Sequence, residues 1–284
     1  MLYNVSVRLS GKDIAEKVYQ SLRIRVGELQ KKGITPHLVV FLIGENPASV
    51  AYVRQKQTKG EEIGCKVTVF RLSESITTEE LEKKVKELNE DPTVHGILIQ
   101  RPVPDHVDIE KLELLTNPEK DIDGFHPDSP YTFPIPMAVM KILEETHELE
   151  QDKQYFSDWL NSKKIIIIGK GPTGGGPIMT EFAKQNIDYH LIDSKTTNRE
   201  ELLKNADIII SAVGKESVIK AEELKQGIIL IGVGILRGAD GKLHGDYNEE
   251  DVDSIASYYT TTPGGVGPVN VAMLFENVLT AAEK

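Results

Sequence analysis

Cysteine is nearly absent. Cys65 is the only one in 284 residues, so no disulfide can form within the chain. A solitary thiol fits a reducing compartment, and it reads as a packed small side chain rather than a nucleophile. Positive charge is in deficit: 33 Lys and Arg against 44 Asp and Glu leave a net charge of −11. Binding nucleic acid needs a positive footprint, so that class of partner is not expected, although a local basic cluster could still hold a small anion. No apolar run nears the roughly 18 residues that span a bilayer. The stretch Met1–Gly11 carries Arg8 and lacks a long apolar core, so neither a signal peptide nor a membrane partner is expected, and the chain reads as cytoplasmic. No His or Cys pair has ligand spacing, which leaves a carboxylate–His site around His126 as the one weak metal alternative and makes no metal the expectation.

What is present alternates between helical and strand periods. Residues 12–32 place Ile14, Val18, Leu22, Val26 and Leu29 at spacings of three and four, the pattern of an amphipathic helix. Residues 38–43 form a wholly apolar run, which suits a strand buried on both faces. A helix over 48–63, a strand over 66–70, a helix over 77–89 opened by Thr77 and Glu80, and a strand over 96–100 follow. This order implies a parallel sheet covered by helices. After a helix over 132–145, residues 146–164 turn charged and hold the only Trp, Trp159, so the domain junction is expected there. Strands over 164–168, 189–192, 207–212 and 227–235 follow, with a last helix over 269–282.

Three stretches carry chemistry. Gly169-Lys170-Gly171-Pro172-Thr173-Gly174 follows a strand and opens a helix, satisfying the Gly-x-Gly-x-x-Gly pattern in its required context. Glycines let backbone N–H groups approach a pyrophosphate at the helix N-terminus. The same residues could also be a ligand-free βα turn. Asp193 ends the next strand, 24 residues after Gly169. A carboxylate there can accept from a ribose 2′-OH, which favours NAD. Lys170, Ser194 and Lys195 could instead hold a 2′-phosphate, which favours NADP. Asp193 could equally be a turn residue.

In the first half, Ser49, Tyr52 and Lys56 share a helix face. Burial would make Lys56 a proton carrier, and Tyr52 could stack on a flat heterocycle, yet spacing alone favours an exposed, solvated face. Gln100 sits at the carboxyl end of an apolar strand, where open α/β sheets place ligands. The loop Lys120–Pro127 adds Asp121 and Asp123, either of which could accept from an aminopyrimidine edge. His95 and His106 read as structural or exposed. The segment from Pro263 through Gly264 and Gly265 to Pro268 could line a ligand or simply connect two elements.

Taken together, the stretches LSGKDIAEKV, GENPASVAYVRQKQTKGEEIG, GILIQRPVP, KDIDGFHP, the Gly-rich loop, ADIIISAVGK and PGGVGPVNVAML occur in collinear order across the chain. In this the chain resembles the bifunctional methylenetetrahydrofolate dehydrogenase/methenyltetrahydrofolate cyclohydrolase (FolD) family. The resemblance implies an α/β protein of two domains, an N-terminal catalytic domain and a Rossmann-like nucleotide-binding domain, with a cleft between them. The expected division is 1–145 with 268–284 for folate and 146–267 for NAD(P). It implies Lys56 as the proton carrier of the cyclohydrolase step, Tyr52 stacked beside the folate, Gln100 positioning Lys56 and Asp123 holding the pterin. Ser49, Pro263, Gly264 and Gly265 would complete the substrate site. Gly169, Lys170, Gly171, Gly175, Pro177, Ser194, Ile235 and Asn270 match nucleotide-binding positions, alongside Asp193. The implied cofactor is NADP, with NAD as the alternative, and the implied assembly is a homodimer in one-carbon metabolism.

The chain departs from the family pattern at several points. Phe133-Pro134-Ile135-Pro136 replaces Pro-Cys-Thr-Pro, and Lys170-Gly171 replaces Arg-Ser. Gly174-Gly175-Gly176-Pro177 replaces Val-Gly-Lys-Pro, and Gly232-Val233-Gly234 replaces Asp-Val-Gly. Thr261-Thr262 replaces Pro-Val, and Asn270 replaces Thr. Most fall in the nucleotide half, so a cyclohydrolase with a decayed dehydrogenase site is one alternative and a non-catalytic folate-binding protein another. An anionic folate tail would call for a basic patch, for which Arg54, Lys56, Lys59 and Arg101 are the candidates.

Overall fold

The computed structural model describes residues 6–284; the first five, part of the stretch weighed above as a leader, lie outside them. In chain order the first half runs β1 (Val7–Leu9), α1 (Gly11–Lys31), β2 (His37–Ile43), α2 (Pro47–Glu62), β3 (Lys66–Leu72), α3 (Thr78–Glu90), β4 (Gly96–Ile99) and α4 (Ile109–Leu115). Then come α5 (Pro134–Glu150), α6 (Phe156–Asn161), β5 (Ile165–Ile168), α7 (Gly175–Lys184), β6 (His190–Ile192), α8 (Arg199–Asn205) and β7 (Ile208–Ser211). The chain closes with β8 (Ile228–Gly232), β9 (Ile235–Arg237), β10 (Leu243–Gly245), α9 (Glu249–Val252), β11 (Ala256–Thr260) and α10 (Val266–Ala282). Among the described residues no helix is long and apolar enough to cross a membrane.

Two compact units result. One holds Glu16–Pro134 and Val271–Lys284. Its sheet is three parallel strands in the order β3-β2-β4. Every residue of β2 is buried, as a central strand covered on both faces requires. The capping box expected at Thr77 and Glu80 opens α3. The part of α10 in this unit is tied to it by Asn277, whose Nδ2 donates to the carbonyls of Ile122 (2.9 Å) and Thr132 (2.8 Å). Arg25 reaches the same helix, pairing with Glu276 and Glu283.

The other unit holds Ile135–Asn270 and the N-terminal residues up to Ala15. Its sheet is six parallel strands, β1-β11-β8-β7-β5-β6, with the antiparallel hairpin β9–β10 beside it. The chain therefore divides at 15/16, 134/135 and 270/271, not at 145/146 and 267/268. The physical reason is twofold. Val7, Arg8 and Leu9 pair with Tyr258, Tyr259 and Thr260, which draws the N-terminus into this sheet. Residues 146–164 are packed structure rather than a linker: Trp159 is fully buried, and its indole N–H donates to Glu150 at 2.8 Å.

Candidate active site

Asn46 opens α2, accepting from the N–H groups of Ala48 (3.0 Å) and Ser49 (3.1 Å), with Pro47 as the first helical residue. That start turns Ser49, Val53, Lys56 and Gly60 inward as one buried stripe. Lys56 is thus buried and not solvated. Its Nζ donates to Gln100 Oε1 at 2.9 Å. Gln100 directly follows β4, and its backbone N–H donates to Phe41 at 2.9 Å. Its Nε2 donates to the Arg101 carbonyl at 2.7 Å. Because a carbonyl accepts only from the NH₂ end of the amide, this bond turns the amide oxygen toward Lys56. Ser49 Oγ donates to the same Arg101 carbonyl at 3.4 Å.

The loop after α4 separates the two carboxylates that the sequence leaves open. Asp121 is consumed by the fold: it is buried, and its Oδ2 accepts the His126 N–H at 2.8 Å. Asp123 accepts no hydrogen bond among the described residues, and its carbonyl neighbour Ile122 is anchored by Asn277. Two forces oppose each other at Lys56 and Asp123. Burial lowers the lysine pKa, and the Asp123 charge raises it; burial is the larger effect. Burial likewise raises the pKa of Asp123 against the pull of Lys56 and then Arg101. Tyr52 is half-buried on α2, and burial pushes its phenol pKa up.

His126 Nδ1 accepts the Asp128 N–H at 3.0 Å, so the ring serves the turn. Among the described residues no group of three His, Cys, Asp or Glu could hold an ion. His95 accepts from the His37 N–H, and His106 meets the Ile76 carbonyl. Cys65 is buried, which pushes its thiol pKa up to about 12 and leaves it inert. Of the four basic residues considered for an anionic tail, three are engaged. Lys56 holds Gln100, Lys59 pairs with Glu62 at 2.6 Å, and Arg101 pairs with Glu113 while lying 4.6 Å over the Phe125 ring. Arg54 has no ion-pair partner among the described residues.

The remaining sequence-predicted residues lie in the six-stranded unit. The Gly-rich loop connects β5 to α7 and folds on itself, with the Gly176 N–H donating to Gly171 at 2.9 Å. A Cβ at Gly175 would fall 2.0 Å from the Gly169 carbonyl oxygen, so no larger residue fits there. Pro177 is buried in the first turn of α7, and the space at Gly171 is open. Lys170 pairs with Asp193 at 2.9 Å. Asp193 is at once an ion-pair partner and a turn residue: its Oδ1 accepts the Lys195 N–H at 2.9 Å. The Lys170 ammonium leads in holding its carboxyl below the usual range. Ser194 is exposed, and Ile235 is 38% exposed at the start of β9. Pro263, Gly264 and Gly265 join β11 to α10. Asn270 lies on α10 with a buried Oδ1 that has no hydrogen-bond partner among the described residues, an orphan atom suited to a ligand amide or hydroxyl. The close-approach loop, the start of α7 and this orphan atom fit a dinucleotide.

Residues 9–123 match the family model of the tetrahydrofolate dehydrogenase/cyclohydrolase catalytic domain, and residues 134–284 match that of its NAD(P)-binding domain. The chain belongs to the tetrahydrofolate dehydrogenase/cyclohydrolase family. The bifunctional protein FolD of Lactococcus lactis subsp. lactis (strain IL1403) is 36% identical over 285 residues, which covers 97% of each chain. That of Nautilia profundicola is 38% identical over 284 residues, 97% of this chain and 96% of its own. The crystal structure of the Campylobacter jejuni FolD methylenetetrahydrofolate dehydrogenase/cyclohydrolase matches with a TM-score of 0.89 at 35% identity, covering 98% of this chain and 99% of that one. The Trypanosoma brucei FolD, complexed with NADP cofactor and inhibitor, matches with a TM-score of 0.88 at 28% identity, covering 98% and 97%.

Within this tetrahydrofolate dehydrogenase/cyclohydrolase chain, sequence reasoning missed Glu113 and Asn277. Glu113 holds the Arg101 guanidinium, and Asn277 anchors the Asp123 loop from α10. Neither has a local signal, since each acts on a segment distant in sequence.

Proposed function

We propose that this protein oxidises 5,10-methylenetetrahydrofolate to the 5,10-methenyl form with a nicotinamide dinucleotide and hydrolyses that product to 10-formyltetrahydrofolate. The observation that carries the reading is the buried Lys56 Nζ, 2.9 Å from Gln100 Oε1 and coupled to Asp123. When bound, the dinucleotide supplies the hydride acceptor. The chain supplies position and proton handling. Asp123, free of other hydrogen bonds among the described residues, accepts N–H groups from the pterin edge. Tyr52 offers a ring face to it. In this reading Ser49 on α2 adds to the substrate site, and Pro263, Gly264 and Gly265 are substrate positions that the family resemblance implies.

The methenyl carbon is a cationic amidinium centre, so water can add to it without a metal. Addition releases one proton, and ring opening moves another between oxygen and nitrogen. A lysine whose pKa is lowered by burial gives up its own proton more readily, and its neutral amine can take that first proton. Gln100 holds Nζ in place through one N–H and leaves the rest of the amine for this transfer.

For the dinucleotide, Gly169, Lys170, Gly171, Gly175, Pro177, Asp193, Ser194, Ile235 and Asn270 form the assigned set, and NADP is the preferred form in this reading. Its support is the exposed Lys170 cation and the NADP complex of the T. brucei relative. The same reading takes the protein as a cytoplasmic homodimer, for which light scattering should return twice the chain mass. A paired assay tests the activity. Methylenetetrahydrofolate with NADP⁺ or NAD⁺ should yield reduced nicotinamide, and methenyltetrahydrofolate should lose its absorbance. Hydrolysis without nicotinamide reduction would leave a cyclohydrolase alone, and neither would leave a binding protein.

A further inference from the structure

We propose that Asp246 is a positioning residue for dinucleotide binding: its buried carboxylate fixes the loop after β7 as one wall of the nucleotide crevice. The proposal rests on the assignment of the six-stranded unit to a dinucleotide. Asp246 follows β10 and has no exposed surface. Its Oδ2 accepts from Ser211 Oγ at 2.6 Å and from the Val213 N–H at 2.9 Å. Its Oδ1 accepts from the Gly214 N–H at 2.7 Å and the Lys215 N–H at 3.0 Å. Four donors use the capacity of an ionised carboxylate, so the charge is buried without an unpaired lone pair.

Three successive N–H groups converging on one anion form a nest, a geometry that elsewhere cradles phosphate. Here the chain's own carboxylate fills it. The loop's amides are therefore spent, and phosphate binding falls to the Gly-rich loop and the start of α7. What the loop contributes is shape.

Its place in the sheet says which shape matters. From β5 the chain passes to β6 on one side and then to β7 on the other, so the strand order reverses between β5 and β7. Ligands of open α/β sheets bind outside the carboxyl ends at such a reversal. The carboxyl end of β7 runs into Ala212, whose N–H donates to Ile168 at 2.8 Å. A Cβ at Gly174 would lie 3.3 Å from that of Ala212, and one at Gly214 would lie 3.2 Å from the Ile235 carbonyl oxygen. The loop thus bridges the Gly-rich loop and Ile235. Gly234 admits the carboxylate: a Cβ there would fall 2.4 and 2.5 Å from its two oxygens.

The test is NADP⁺ and NAD⁺ binding by titration calorimetry on the full chain, with methenyl hydrolysis in the absence of dinucleotide as the control. Asp246→Asn should weaken dinucleotide binding by about tenfold, the loss expected when charge-assisted bonds to the loop go. Hydrolysis should stay within about twofold, since its proton-transfer residues Lys56, Gln100 and Asp123 belong to the other unit. Ser211→Ala, which removes one donor and leaves the charge, should weaken binding by about threefold and decides the matter if the first variant does not fold. Unchanged dinucleotide affinity in a folded variant would overturn the proposal, as would a parallel fall in binding and hydrolysis. Wild-type protein that binds neither dinucleotide would contradict the nucleotide assignment itself, and the proposal with it.

Discussion

Lys56 sits where two influences on its proton compete, and burial outweighs the nearby Asp123 charge. Asp123→Asn removes the charge that raises the lysine pKa, so that pKa falls further. The limb of methenyl hydrolysis that rises with pH should then move to lower pH, read from kcat at saturating substrate; a limb that stays in place or moves upward contradicts the role given to Lys56. Asp193 is the second residue with a split task. Asparagine can keep its turn contact to the Lys195 N–H but gives up the ion pair to Lys170. Asp193→Asn should therefore raise the ratio of kcat/KM for NADP⁺ over NAD⁺ by about tenfold, because a 2′-phosphate no longer meets a carboxylate and gains a free ammonium. An unchanged ratio would assign Asp193 to the turn alone. Lys56, Tyr52 and Gln100 stood out as candidates because they lie in short, recognisable stretches, but spacing alone pointed Lys56 to solvent. Its buried amine meets Gln100, which β4 delivers from 44 residues away.

Among the elements, the β5–α7 turn carries a demanding geometry. Gly175→Ala would force a methyl to 2.0 Å from the Gly169 carbonyl oxygen. The loop must open to accept it, and NADP⁺ affinity measured by calorimetry should fall by about a hundredfold. Affinity within twofold of wild type would mean that this loop does not form the phosphate cradle. Elements with one strong period were legible: β2, β5 and β8 as apolar runs, α1 and α3 as amphipathic helices. The strands β1, β10 and β11 were not, and the expected strand over 227–235 divides into β8 and β9. β1 is a three-residue edge strand with exposed Val7 and Arg8, and β11 reads Ala-Ser-Tyr-Tyr-Thr, without an apolar run. Both become strands through pairing with distant segments, which local pattern does not encode. Residues 146–164 misled for the opposite reason. Their charge suggests a linker, yet Trp159, His147 and Phe156 pack ring against ring.

At the scale of the whole molecule, both compact units are discontinuous in sequence. The N-terminal strand belongs with the six-stranded sheet, and the chain from Val271 onward belongs with the three-stranded one. The family resemblance placed residues 268–284 with the first half of the chain. That resemblance did not place β1 in the six-stranded sheet, and the units part at residue 134, eleven before the expected 145. Of the four basic groups considered for a folate tail, Arg54 has neither an ion pair nor a side-chain hydrogen bond among the described residues. Assigning the proton-transfer residues to one unit and the dinucleotide residues to the other means that one substitution should separate the two tasks. The most direct measurement is methenyltetrahydrofolate hydrolysis by Lys56→Met, with NADP⁺ affinity and circular dichroism taken on the same preparation. Hydrolysis should fall by at least about a hundredfold while dinucleotide affinity and fold are retained. Hydrolysis near the wild-type rate would contradict the account.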